Sequence, residues 1–179
     1  AVDRVRQLFS RALQHHYNKN EIDYGLDTSR IGGSDEPVNH KQVVFLHGTT
    51  WATKHWPEHY WRHLAHIATE NGFQVLLPWG DQSEKQRADF IAKDNPQVEV
   101  LDRLPLGGVA KEINRSAGVI AVDTGLGHLA SALSKPTVSL YGPTNPGLSG
   151  TFGHHQLHLK SNLNCAPCIK KVCLSLIHI

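Results

Sequence analysis

The chain has 179 residues, of which 40% are hydrophobic and 19% charged, and its formal net charge is +2. This composition is typical of about one globular domain. No apolar run approaches the roughly 20 residues that a membrane-spanning helix needs, and the small net charge does not indicate a nucleic-acid partner. Because the sequence contains no methionine, we expect that it is part of a longer protein.

The first 40 residues predict a connecting helix and a linker. Apolar side chains in residues 1–16 recur at spacings of three and four, which indicates an amphipathic helix. Residues 17–40 are polar and contain Gly32-Gly33-Ser34, which favours an irregular connection.

Residues 41–140 alternate between strand-like and helix-like segments, which predicts an α/β fold with a Rossmann-like parallel sheet and helices on both faces. The carboxyl ends of parallel strands then meet at one edge. Ser83 is a candidate helix cap, and no periodic element is expected after Tyr141. The predicted strands are 42–47, 74–77, 98–101, 118–122 and 137–140, and the predicted helices are 57–70, 83–93, 106–116 and 126–133.

The chain therefore divides into a connecting segment, 1–40, one folded domain, 41–173, and a tail, 174–179. The tail resembles the translation of an adapter used in sequencing libraries. We expect it to be non-native and exclude it from the fold prediction.

The segment from Gly118 to His128 carries the strongest functional signal. An apolar strand runs into Asp123-Thr124-Gly125, and a helix begins at once. Such a joint is where open parallel sheets bind ligands, and the free N–H groups of a helix N-terminus suit a phosphate. The alternative is that Asp123 or Thr124 only caps the helix.

Other strand ends add polar groups to the same predicted edge. Lys54 offers a positive charge for a diphosphate, and hydroxyls follow two of the strands. Glu84 offers a carboxylate for ribose hydroxyls. The residues gathered there are His47, Gly48, Thr49, Thr50, Lys54, Trp79, Gly80, Glu84, Asp123, Thr124, Gly125, His128, Tyr141, Gly142 and Thr144.

Each charged candidate also has a structural interpretation. Lys54 would be a solvated surface cation. Glu84 would favour the first turn of its helix through the dipole. His128 would pack as a neutral, hydrogen-bonded group.

The sequence lacks the motifs of several classes of nucleotide-binding site. The sequence has no Gly-x-Gly-x-x-Gly after a strand and no phosphate-loop Gly-Lys-Ser/Thr, which disfavours dinucleotide oxidoreductases and nucleoside triphosphatases. It has no Asp-x-Asp pair to hold Mg²⁺ on a diphosphate, which favours a metal-independent site.

Three cysteines lie near the end of the chain. Cys165 and Cys168 have the spacing of a zinc or redox pair, and Cys173 adds a third thiol. Zinc is an alternative here, with His154, His155 or His158 as a fourth ligand, but the favoured interpretation is reduced structural thiols.

Five linked motifs resemble glycosyltransferase family 9 over about residues 1–173. The motifs, in chain order, are His47-Gly48-Thr49-Thr50, Lys54-His55-Trp56-Pro57, Leu77-Pro78-Trp79-Gly80, Asp123-Thr124-Gly125-Leu126-Gly127-His128 and Tyr141-Gly142-Pro143-Thr144-Asn145-Pro146-Gly147. The resemblance implies the carboxyl-terminal, donor-binding half of a GT-B fold. The implied reaction is inverting transfer of L-glycero-D-manno-heptose from ADP-heptose to a Kdo residue of the lipid A inner core, with no cofactor required.

The resemblance also implies roles for nine residues in donor binding. They are Thr49, Thr50 and Lys54 for the diphosphate, Glu84 for ribose, Leu104 for adenine, and Asp123, Thr124, Gly125 and His128 for the sugar and phosphates. The catalytic base and most of the acceptor site belong to an amino-terminal domain that has no counterpart in the sequence, so we expect the chain alone to be inactive.

Other functions remain open at this point. Lys54-His55-Trp56-Pro57 favours the enzyme that adds the first heptose over heptosyltransferase II or another sugar transferase of the family. A non-catalytic nucleotide- or zinc-binding module is the alternative of another class. The family implies a cytoplasmic location, peripheral at the inner face of the inner membrane.

Overall fold

The computed structural model describes residues 2–18, 22–31 and 37–173. The predicted non-native tail and the Gly32-Gly33-Ser34 part of the linker lie outside these ranges. The described helices are α1 (Val2–Leu13), α2 (Glu58–Glu70), α3 (Gln82–Ala92), α4 (Leu106–Arg115), α5 (Gly125–Ala132) and α6 (Pro146–Ser149). The described strands are β1 (Asn39–Leu46), β2 (Gln74–Leu77), β3 (Val98–Val100), β4 (Ser116–Val122), β5 (Thr137–Tyr141) and β6 (Gln156–Lys160).

These strands form one sheet in the order β3-β2-β1-β4-β5-β6, and every neighbouring pair is parallel. The predicted fold class is confirmed. The strand order reverses direction between β1 and β4, and a crevice forms at such a switch point because the two connections leave on opposite sides of the sheet.

Side chains of β1 alternate between the two faces of the sheet and therefore help to build two cores. Val44 and Leu46 pack with residues of α4 and α5 on one face. Phe45 packs on the other face with Trp61 of α2 and Ile91 of α3. Trp61 is completely buried, and truncation of such a side chain costs about 3–5 kcal/mol.

The short helix α6 and the strand β6 correct the expectation that no periodic element follows Tyr141. β6 pairs in parallel with β5 along its whole length. The burial pattern of β6 is the reverse of the usual one, because the apolar Leu157 and Leu159 are exposed while the polar Gln156 and His158 are half-buried. The spacing of apolar residues therefore does not predict which face of β6 packs on the protein.

Two boundaries also differ from the sequence prediction. β1 begins at Asn39, inside the predicted linker. The N-cap of α3 is Asp81 rather than Ser83, because the Asp81 side chain accepts a hydrogen bond from the Glu84 N–H. Across the ranges given above, no helix has the length and apolar character needed to cross a membrane.

Candidate functional site

A cleft of about 580 Å³ opens at the switch point, beside the carboxyl ends of β1 and β4. All nine residues for which donor contacts were predicted line it. They are Thr49, Thr50, Lys54, Glu84, Leu104, Asp123, Thr124, Gly125 and His128. The turn after β1 supplies the first three, and the β4–α5 joint supplies the last four. Parallel strand ends thus bring together residues up to 79 positions apart in the sequence.

Asp123 is the centre of a polar network in the cleft. Its Oδ2 atom lies 2.9 Å from Lys54 Nζ and accepts a 2.6 Å hydrogen bond from Thr144 Oγ1. Its backbone carbonyl accepts a hydrogen bond from Thr49 Oγ1 at 3.1 Å. Asp123 is only 6% exposed, and the Lys54 side chain is 16% exposed. Lys54 is therefore not the solvated surface cation of the alternative interpretation.

The start of α5 is open toward the cleft. Thr124 is the N-cap residue, but its side chain makes no capping hydrogen bond. The Asp123 carboxylate contacts Lys54 and Thr144 instead. The alternative that one of these two side chains only caps the helix is therefore wrong. Thr124, Gly125 and Leu126 line the cleft, so the first turn of α5 borders it without a side-chain cap.

Glu84 combines a local structural contact with its place in the cleft wall. Its Oε2 atom accepts a 2.7 Å hydrogen bond from the Gly80 N–H, while its own N–H donates to Asp81 Oδ1. This reciprocal arrangement resembles a capping box and stabilises the start of α3. A Cβ atom on Gly48 would overlap with Glu84 Oε1, so the carboxylate lies directly against the turn that follows β1.

Sequence reasoning missed Trp51, which helps to place Lys54. Lys54 Nζ lies 4.5 Å from the centroid of the Trp51 ring, and Lys171 Nζ lies 5.3 Å from it. The Thr53 hydroxyl donates to the Lys170 carbonyl at 2.7 Å. The segment after β6 therefore holds the turn that carries the candidate diphosphate-binding residues. Only the aromatic residue next to Thr50 hints at this contact in the sequence.

His47 was predicted at the edge of the sheet but is completely buried beneath it. Burial and the nearby positive charges of Arg87 and His55 lower the pKa of His47 to about 4, although the Pro78 carbonyl partly opposes this change. Burial is also the main cause that lowers the pKa of His55. His47 is therefore a buried, neutral group at physiological pH and does not line the cleft.

The cysteine segment lines a second cavity of about 490 Å³, which shares Lys54 with the cleft. Tyr141 and Gly142 lie in this cavity rather than in the cleft. Cys165 and Cys168 are exposed, and Cys173 is half-buried. Within the part of the chain that the structure describes, no group of three or more His, Cys, Asp and Glu residues is placed to hold a metal ion.

Comparison with known proteins identifies a family. The model of glycosyltransferase family 9 (heptosyltransferase) matches residues 1–177, which includes the first four residues of the predicted non-native tail. Lipopolysaccharide heptosyltransferase 1 of Pseudomonas aeruginosa is 51% identical over 173 residues, which are 97% of this chain and 48% of that protein. The enzyme of the same name from Escherichia coli is 36% identical over 96% of this chain and 56% of its own length.

Solved structures give the same result. Escherichia coli heptosyltransferase WaaC with ADP matches with a TM-score of 0.80 and 37% identity, over 89% of this chain and 50% of that one. WaaC with ADP-2-deoxy-2-fluoro heptose matches with a TM-score of 0.77 and 35% identity, over 88% of this chain and 48% of that one. The chain thus spans about half the length of the relatives it matches.

Proposed function

The chain belongs to glycosyltransferase family 9, and from this membership we propose that it is the donor-binding half of a heptosyltransferase. The complete enzyme transfers L-glycero-D-manno-heptose from ADP-heptose to a Kdo residue of the lipid A inner core. The observation that carries the proposal is the cleft, where a partly buried lysine faces the uncapped N-terminus of α5. The names of the relatives and the ADP-containing WaaC structures support the choice of donor.

The cleft suits a diphosphate on electrostatic grounds. Lys54 supplies an ammonium group that is ion-paired with Asp123, and the first turn of α5 supplies backbone N–H donors and the positive end of the helix dipole. Thr50 and Thr124 add hydroxyl donors from the two sides of the cleft. These groups stabilise the negative charge that develops on ADP as it leaves the anomeric carbon.

The rest of the cleft suits the nucleoside and the sugar. Leu104 offers an apolar surface for adenine, and Glu84 retains Oε1 as an acceptor for a ribose hydroxyl because the Gly80 N–H contacts Oε2. His128 lies one turn into α5, where its ring can contact the sugar or a phosphate. Donor recognition is thereby divided between the β1–β2 and β4–α5 sides of the switch point.

The proposed reaction is a direct displacement that inverts the anomeric centre and requires no metal ion. An acceptor hydroxyl attacks the anomeric carbon of the heptose, the bond to the ADP oxygen breaks, and the proton passes to a base. We place that base and most of the acceptor site in the half of the protein that this chain does not include, so the chain alone binds donor weakly and does not turn over. The complete enzyme would work in the cytoplasm at the inner face of the inner membrane, where the lipid acceptor lies.

Calorimetric titration of ADP into the chain, without added metal, tests the proposal. We expect binding that is selective over UDP and GDP, and a loss of severalfold or more in Lys54→Ala and in Asp123→Ala. Lys85→Ala and Asp89→Ala are matched controls, because these residues form an ion pair on the exposed surface of α3. Equal affinity for all three nucleotides, or wild-type affinity in both cleft variants, would contradict the proposed site.

A second experiment separates the first from the second heptosyltransferase. The complete enzyme should accept a Kdo-terminated lipid A acceptor that carries no heptose. Transfer only to an acceptor that already carries one heptose would favour heptosyltransferase II.

A further inference from the structure

We propose that Thr144 is a positioning residue of the donor site, which acts by holding the Asp123 carboxylate that in turn holds Lys54. This inference rests on the proposed function, because it assigns Thr144 a part in the same site. Thr144 follows β5, is 9% exposed, and is not among the residues that line the cleft. Its effect on a ligand must therefore pass through a neighbour.

The contacts converge on one carboxylate oxygen. Thr144 Oγ1 donates to Asp123 Oδ2 at 2.6 Å, and Lys54 Nζ lies 2.9 Å from the same atom. The Thr49 hydroxyl fixes the backbone of Asp123 from the other side through its carbonyl. Asp123 is thus held at both its main chain and its side chain, and its orientation decides where the ammonium lies.

Lys54 needs such a support because a lysine is a flexible chain that ends in a point charge. The centroid of the Trp51 ring lies 4.5 Å from Lys54 Nζ. This cation–π contact attracts the ammonium but does not fix its position, because the whole face of the ring attracts it. The Asp123 carboxylate supplies a directional contact. Without the Thr144 hydroxyl the carboxylate can rotate, and ligand binding must then order Lys54, which lowers affinity.

The first test compares ADP affinity in Thr144→Val and Thr144→Ser. We expect Thr144→Val to weaken binding roughly three- to tenfold, the usual effect of one buried hydrogen bond, and Thr144→Ser to remain within about twofold of wild type because the hydroxyl is kept. Thr137→Val is the matched control. Thr137 is also buried on the β5 side of the sheet, but its hydroxyl donates to the Lys135 carbonyl at the opposite end of that strand.

A double-mutant cycle distinguishes positioning from a general structural effect. In a Lys54→Ala background, Thr144→Val should change ADP affinity by less than about twofold, because the group that Thr144 positions is already gone. An equal loss in both backgrounds, or wild-type affinity in folded Thr144→Val, would overturn the inference.

A second measurement needs no nucleotide. The rate of acetylation of Lys54 by an amine-reactive acetylating reagent is followed by peptide mass spectrometry, with Lys85 as the internal reference. We expect Lys54 to react severalfold faster in Thr144→Val and at the wild-type rate in Thr144→Ser and Thr137→Val. An unchanged acetylation rate of Lys54 in Thr144→Val would overturn the inference. If the wild-type protein fails to bind ADP, the proposed function is contradicted, but the acetylation experiment still decides the role of Thr144.

Discussion

At the scale of single residues, Gly48 shows how closely the cleft is built around Glu84. A Cβ atom there would overlap with Glu84 Oε1 and would lie 2.6 Å from Glu84 Cδ. We expect Gly48→Ala to displace the carboxylate from the Gly80 N–H and to weaken ADP binding severalfold, while the protein still folds because a side-chain end can move. Gly107→Ala on α4 is the control, since its Cβ would meet open space. Calorimetry that gives both variants wild-type affinity would contradict the contact.

His47 gives a prediction about pH. Its folded-state pKa of about 4 lies below the unfolded value of about 6.5, so the unfolded chain binds the extra proton. Stability is therefore fully present above pH 6.5 and is lost as the pH falls toward 4, by up to about 3 kcal/mol. Urea unfolding at several pH values should show this loss in wild type and a flatter profile in His47→Leu. The control His63→Leu, at an exposed position, should keep the wild-type dependence of unfolding free energy on pH. If His47→Leu also keeps the wild-type dependence, then His47 is not the group that causes the loss of stability.

The candidate site shows what a sequence can reveal about residues. Strand ends and turn residues predicted most of the groups that line the cleft, since parallel strands bring their carboxyl ends to one edge. Four residues predicted at the same edge do not line it: His47, Tyr141, Gly142 and Thr144. The burial of His47 and the contact of Trp51 with Lys54 could not be predicted, because they depend on how α2, α3 and the segment after β6 pack around the turns.

At the scale of elements, prediction succeeded where the apolar pattern matched the packing. β1, β2 and β4 each contain a run of mostly buried apolar residues, and α4 has an apolar side that packs on the sheet. β6 was missed because its leucines face outward and polar side chains make its contacts with the protein. A pattern of hydrophobicity cannot report a strand whose inward contacts are hydrogen bonds.

His158 tests whether these polar contacts hold β6 in place. Its Nε2 atom lies 2.9 Å from Thr151 Oγ1, and its ring packs edge-on against Tyr141 with centroids 5.3 Å apart. We expect His158→Ala to lower the free energy of unfolding by about 1–3 kcal/mol, because it removes a part-buried hydrogen bond and an aromatic contact. The exposed His154→Ala should change it by less than about 0.5 kcal/mol. Equal effects in denaturant melts would mean that β6 is held by its backbone alone.

At the scale of the whole molecule, α1 carries large apolar side chains that are exposed in this chain. Leu8 is 66% exposed and Phe9 is 56% exposed, although the amphipathic pattern of α1 would place them against a neighbouring surface. The relatives of this chain are about twice as long as the chain itself. We propose that the amino-terminal domain covers these side chains in the complete protein, because burial of two large apolar residues is worth roughly 1.5–3 kcal/mol each.

The double variant Leu8→Ser/Phe9→Ser tests this contact. In the chain alone we expect the melting temperature to change by no more than a few degrees, since both side chains are already in solvent. In the complete protein the same substitutions should remove apolar burial and lower the melting temperature further, and ADP affinity should fall toward that of the isolated half. Gln7→Ser, an exposed position on the same helix, is the control in both proteins. If the double variant has equally small effects in both, then α1 does not contact the amino-terminal domain, and the donor half must be joined to it through another surface.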